Sequence, residues 1–143
     1  MDPAWKQFSV KTLENGAANA PVSYAVQLSE DVKDGVQNNT RLRLSPTPAS
    51  GEIQIEGVIT GYQVAPIAIQ NQDEASKNRL TISANFTIAI TAPVDKVGEM
   101  QVTSTRFADY NSDQDFSSIE AALISDINKQ IVQDVINKLL SNW

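Results

Sequence analysis

Between residues 79 and 90 the chain reads RLTISANFTIAI, with Leu80, Ile82, Ala84, Phe86, Ile88 and Ile90 at every second position. Thr81, Ser83, Asn85, Thr87 and Ala89 fill the positions between them. A strict period of two marks a strand with one face in a core and the other outside it. At the usual rise this segment reaches about 40 Å, well beyond an average strand. Its outward row carries hydroxyls and amides rather than charge. Such a face is neutral, flat and wettable, and suits docking against a polar surface better than it suits catalysis.

The same reading gives the other elements. Residues 6–13 place Phe8 and Val10 on one side and predict a first strand, ended by Asn15-Gly16. Residues 22–38 predict a helix with Ala25, Leu28, Val32 and Val36 along one stripe, and Pro21 suits its first turn. Residues 41–44 form a short strand with leucines on one side and Arg41 and Arg43 on the other, broken by Pro46 and Pro48. Residues 52–69 are extended again, with Ile53 and Ile55 in phase. Beyond Gly57 and Gly61 the phase slips to Tyr62 and Val64, which predicts a bulge or strong bend. Pro66 confines the end of that strand to a sheet edge.

After the long strand, residues 93–98 make a turn and residues 99–110 return as a last strand. Ser117 with Glu120 has the spacing of a capping box at the head of a helix that runs on without Gly or Pro. Ile124, Ile127, Ile131, Val135 and Leu139 line one side of this helix. The predicted order is β-α-β-β-β-β-α, with a right-handed β-α-β opening. Burying every apolar stripe then calls for an α+β two-layer sandwich. Two amphipathic helices pack on one face of a mostly antiparallel four- to five-stranded sheet. A length of 143 residues fits one domain spanning 1–143.

Composition narrows the chemistry. The net charge is −6, which disfavours nucleic-acid binding because that depends on phosphate neutralisation. The chain has no cysteine and no histidine. That removes thiol nucleophiles, disulfides, histidine acid–base catalysis and the commonest transition-metal ligand. No apolar run is long enough to predict a membrane-spanning helix. No glycine-rich phosphate loop or nucleophile elbow occurs, and a Ser–His–Asp triad is impossible. Glu52 and Glu56 share a strand face but stand about 13 Å apart from the strand rise, too far for a glycosidase pair. The oxygen-rich stretch DYNSDQD at 109–115 lacks the glycine and distal glutamate of a calcium loop and reads as a solvated connection. Neither an enzyme nor a cofactor is expected.

The basic residues carry two readings. Arg41 and Arg43 share one strand face, Lys77 and Arg79 enter the long strand, and Arg106 sits in the last strand. They are either ordinary surface charges and ion pairs, or a site for phosphate or carboxylate groups on an amphiphile, where arginine forks are effective. Trp5 and Trp143 read as tethers for the two chain ends rather than as membrane-interface anchors.

Several stretches together carry a family resemblance: FSVKTLENGA at 8–17, NNTRLRL at 38–44, EGVITGYQVAPIAI at 56–69, NRLTI at 78–82, RFADY at 106–110 and SSIEAALISDINKQIVQDVINKLLSNW at 117–143. In this combination and order the chain resembles the LptE-like lipopolysaccharide-assembly lipoproteins, in the form found in the Bacteroidetes. The resemblance implies two helices on a sheet and a lipid-anchored protein at the periplasmic face of the outer membrane. It also implies a partner, the LptD-type β-barrel, whose lumen the protein plugs while lipopolysaccharide is delivered to the outer leaflet. Family members begin with a signal peptide and a lipobox cysteine. MDPAWKQF has neither, so the resemblance implies a chain that starts downstream of the anchor.

Two functional expectations follow. A plug would present Thr81, Ser83, Asn85 and Thr87 as a polar docking face, with Arg41, Arg43, Lys77, Arg79 and Arg106 as contacts for lipopolysaccharide or barrel carboxylates. The alternative is a stand-alone periplasmic module that binds a lipid or amphiphile in a cavity between sheet and helices.

Overall fold

The computed structural model describes residues 3–47, 50–67 and 76–141. In chain order the elements are β1 (Gln7–Val10), β2 (Glu14–Asn15), α1 (Tyr24–Asn39), β3 (Arg43–Leu44), β4 (Ile53–Pro66), β5 (Lys77–Ile90), β6 (Gly98–Asn111) and α2 (Phe116–Ser141). Trp143, Pro48 and part of the loop after residue 67 lie outside the described residues.

The alternation of β5 has the predicted consequence. Leu80, Ile82, Ala84, Phe86, Ile88 and Ile90 are all buried, while none of the residues between them is. β5 is flanked by β4 and β6 in long antiparallel ladders, and the inward phase continues across both. Ile55 stands opposite Ile88, and Phe86 opposite Val102. The slip expected near the glycines is a β-bulge. Thr60 is left over between the pairs Ile59↔Ala84 and Gly61↔Ser83, which returns Tyr62 to the inner face opposite Ile82. Pro66 lies beyond the stretch of β4 that β1 and β2 pair with, so its missing N–H faces a local edge.

The expectation of a mostly antiparallel sheet with four to five strands needs correction. The sheet is mixed and six-stranded, in the order β3-β1-β4-β5-β6 with β2 also on β4. β1 runs parallel to β3 and β4, and β2 parallel to β4. The crossover through α1 brings the chain back in its original direction, and this forces parallel pairing. β2 was hidden because two residues carry no period. The first strand accordingly stops at Val10, short of residue 13. Leu13 is instead buried with its N–H donated to Ser29 Oγ at 2.9 Å.

Both helices reach the buried side of the sheet. In α1, Ala25, Leu28, Val32 and Val36 are buried as the stripe requires, and the helix starts at Tyr24. In α2, Ile124, Ile127, Ile131, Val135 and Leu139 are buried. The expected capping box does not form. The helix starts at Phe116, two residues before the Ser118 that a cap at Ser117 requires, and Ser117 Oγ donates to Asp115 Oδ2 at 2.9 Å. Glu120 is drawn away by a tertiary partner, the hydroxyl of Tyr62.

Two sets of hydrogen bonds and one ring contact fix the helices on this core. Tyr24 of α1 donates to Asn128 Oδ1 of α2 at 2.5 Å, and Asn128 Nδ2 donates to Asp31 at 2.8 Å. The rings of Tyr24 and Tyr62 meet edge to face at 5.8 Å, and burial pushes both phenols above their ordinary range. On β6, Ser104 Oγ and Arg106 Nε donate to Asp134 Oδ2 at 2.6 and 2.9 Å, while Arg106 Nη2 reaches Oδ1 at 2.6 Å. The two helices touch closely at Gly35, where an added Cβ would stand 2.2 Å from Val132 Cγ1.

Two measurements test this packing. Gly→Ala in a helix interior ordinarily gains about 0.5–1 kcal/mol. Here Gly35→Ala is expected to lose about 1–3 kcal/mol in urea unfolding through overpacking against Val132. The loss should be smaller when introduced into Val132→Ala. For the Asp134 clamp, the hydrogen bonds from Arg106, with that from Ser104, hold the carboxylate below its ordinary range. A carboxyl with a depressed folded value stabilises the fold above its unfolded value and loses that contribution as the pH falls through the folded one. Asp134→Asn should therefore lower Tm at neutral pH, and the difference should close as the pH drops below about 4.

Candidate functional site

Among the described residues, no helix or strand covers the face of the sheet away from the helices. Because β4, β5 and β6 pair without a slip except at Thr60, their outward residues stand in rows. Glu56, Thr87 and Gln101 form one row; Val58, Asn85 and Thr103 the next; then Gly61, Ser83 and Thr105; then Gln63, Thr81 and Phe107. Thr81, Ser83 and Thr87 are half-buried by neighbours in the sheet, and Asn85 is exposed. No helix residue hydrogen-bonds to these four among the described residues. Ser83 Oγ meets Thr105 Oγ1 at 3.0 Å and Thr87 Oγ1 donates to Gln101 at 3.1 Å. The hydroxyls are thus ordered laterally while their remaining lone pairs face water.

The expected row from β5 is therefore the middle of a wider surface. Gln63 on β4, and Gln101, Thr103 and Thr105 on β6, extend it on both sides. The alternation of β6 carried the signal: Met100, Val102 and Ser104 are buried, and Gln101, Thr103 and Thr105 are exposed. Phe107 could not be picked out from sequence. It lies on the polar side of the alternation yet is 46% exposed, with the Arg79 guanidinium 3.8 Å from its ring centre. Arg79 is fixed there by a fork to Asp109, Nε to Oδ1 at 2.8 Å and Nη2 to Oδ2 at 3.2 Å.

The five singled-out cations are not gathered into one site. Lys77 and Arg79 lie on the open face at the start of β5. Arg41 and Arg43 sit with Lys6 around a groove beside Trp5, next to the start of β1. The length of β5 separates these ends by about 40 Å. Arg106 has inward phase and is committed to Asp134 of α2, so it belongs to the helix side. Trp5 is buried, with Nε1 donating to the carbonyl of Ala92 at 3.0 Å, which ties the segment before β1 to the β5–β6 turn. The DYNSDQD stretch divides its acids. Asp109 serves Arg79, and Asp115 accepts from Ser117 and Ser118 at the head of α2.

The layer between sheet and helices is filled by Phe8, Leu28, Ile55, Ile82, Phe86 and Ile127, all almost completely buried. A groove of 420 Å³ lies instead between α1 and α2, lined by polar groups such as Asp31, Asn128 and Lys129 together with Val132.

Comparisons with known proteins agree with this architecture. None of the curated proteins matches the chain. Among solved structures, the hypothetical protein CT253 from Chlamydia trachomatis superposes with a TM-score of 0.62 at 12% identity, covering 97% of this chain and all of that one. The rare lipoprotein B from Shewanella oneidensis gives 0.57 at 11% identity, covering 92% and 95% of the two chains. A minor lipoprotein from Acinetobacter baumannii gives 0.52 at 16% identity, covering 92% of each. These likenesses establish a shared fold. The family model for lipopolysaccharide assembly, LptE, matches residues 5–139, and the chain belongs to that family.

Proposed function

We propose that this protein is a non-enzymatic assembly factor, lipid-anchored at the periplasmic face of the outer membrane. It plugs and organises an LptD-type β-barrel that delivers lipopolysaccharide to the outer leaflet. The observation that carries this reading is the polar face of β4, β5 and β6, which no described element covers, on a well-packed core. A barrel lumen is polar and wet, so a plug gains from rows of hydroxyl and amide groups that exchange water for lumen partners at little cost. An apolar face would bind lipid instead, and a highly charged one would pay desolvation on entry. Membership in the LptE family supports the reading, as do structural neighbours named as lipoproteins in Shewanella and Acinetobacter.

The cations take their place within it. Arg41, Arg43 and Lys77 are proposed to meet lipid A phosphates or barrel carboxylates. Arg79 and Arg106 would do so by exchanging Asp109 and Asp134 for another anion of the same fork geometry. The alternative of a stand-alone lipid carrier calls for an apolar cavity between sheet and helices, where the structure has packed isoleucine, leucine and phenylalanine.

The test is capture of the barrel by the full-length anchored protein. Asn85 is exposed in the middle of the face, so Asn85→Trp should leave stability within about 0.5 kcal/mol. It should weaken co-purification with the barrel by about tenfold or more, the equivalent of 1.4 kcal/mol. Undiminished capture by that variant, with lipopolysaccharide export intact on gene deletion, would exclude the plug.

A further inference from the structure

The two edges of the sheet are built differently. At one edge β3 is two residues long and runs into Pro46, a blunt end that offers little to another chain. At the other edge lies β6, a strand of 14 residues in unbroken register with β5. Along 101–111 its second side meets no strand among the described residues. It contains no proline, no lysine and no bulge, the usual devices that discourage pairing. Its one inward charge, Arg106, is neutralised by Asp134. Its outward residues include Thr103, Thr105 and Phe107, side chains that favour cross-strand packing.

We propose that the β6 edge pairs with the β6 edge of a second copy of this chain, antiparallel and about a two-fold axis through Thr105. The choice of occupant comes from self-complementarity. Only registers that keep inward residues opposite inward ones preserve the core face, so allowed shifts of the axis move it by one residue at a time. With the axis at Thr105, Gln101 stands opposite Asp109, Thr103 opposite Phe107 and Ser104 opposite Arg106. No like charges meet. Arg106 of each copy then lies against the Ser104–Asp134 pair of the other, so the clamp becomes shared. Moving the axis to Arg106 sets two guanidiniums face to face, a like-charge repulsion that the Thr105 register avoids. Moving it to Ser104 shortens the paired stretch from 101–109 to 101–107. The result is a continuous twelve-stranded sheet whose polar faces lie on one side, with Phe107 covered across the axis. This pairing does not depend on the barrel reading. It describes the protein before any partner encloses it.

The experiment uses the 143-residue chain, which contains no cysteine. Sedimentation velocity across a concentration series should show a monomer–dimer equilibrium. Under mild oxidation Thr105→Cys should become a disulfide-linked dimer, because a residue on the axis faces its own copy within the range a disulfide spans. Gln101→Cys should not, since in this register its two copies lie about 26 Å apart along the strands. Thr105→Lys and Thr105→Glu should each weaken dimerisation by about tenfold or more while leaving Tm nearly unchanged, and mixing the two should restore it. A monomer at the highest soluble concentration would overturn the proposal. So would a dimer indifferent to both charge variants, or equal cross-linking at residues 101 and 105.

Discussion

The one-sided burial of β5 is the constraint on which the rest of the structure depends. Every apolar position of its alternation points to the same face, and all are buried there. A slip of one residue would send the entire set into water and bring the threonine row into the core. Long ladders on both sides of β5 hold that register, and the bulge at Thr60 lets β4 keep its own inward phase despite an uneven number of residues. At about 25 cal/mol per Å² of apolar surface, a misregister would cost more than the net stability of an ordinary domain.

The helices add a second level of specification through a few polar contacts. Apolar stripes alone would let α1 and α2 slide along the sheet, since leucine and isoleucine pack in many ways. Tyr24, Asn128 and Asp31 join the helices to each other, Tyr62 holds Glu120, and Ser104 with Arg106 holds Asp134. Tyr24, Asn128 and Ser104 are buried, so an arrangement that left any of their hydrogen bonds unmade would be costly. Among the described residues no buried side-chain nitrogen or oxygen lacks a partner. Close approach at Gly35 sets the depth of the helix layer.

With both helices engaged on the buried side, the polar side of the sheet is left as the surface available to other molecules. Solved structures at 11–16% identity share this fold. A core of this kind demands alternation and volume rather than particular side chains.

The alternation of residues 79–90, the stripes of both helices and the slip after Gly57 were legible in the sequence because each is a local period or its interruption. The absence of cysteine and histidine was equally plain from composition. Strand β2, the parallel pairing of β1 and β3, and the true head of α2 were not. A two-residue strand has no period, pairing direction follows from the path of a crossover, and Glu120 left its local capping position for Tyr62. The cations show the same limit. Arg79 and Arg106 both read as strand arginines, yet one lies over Phe107 on the open face and the other is clamped to α2. The sequence by itself determined which side of each element is apolar and that a polar face would exist. Only the tertiary structure decided which residues share that face, because neighbours in a sheet are set by register between segments distant along the chain.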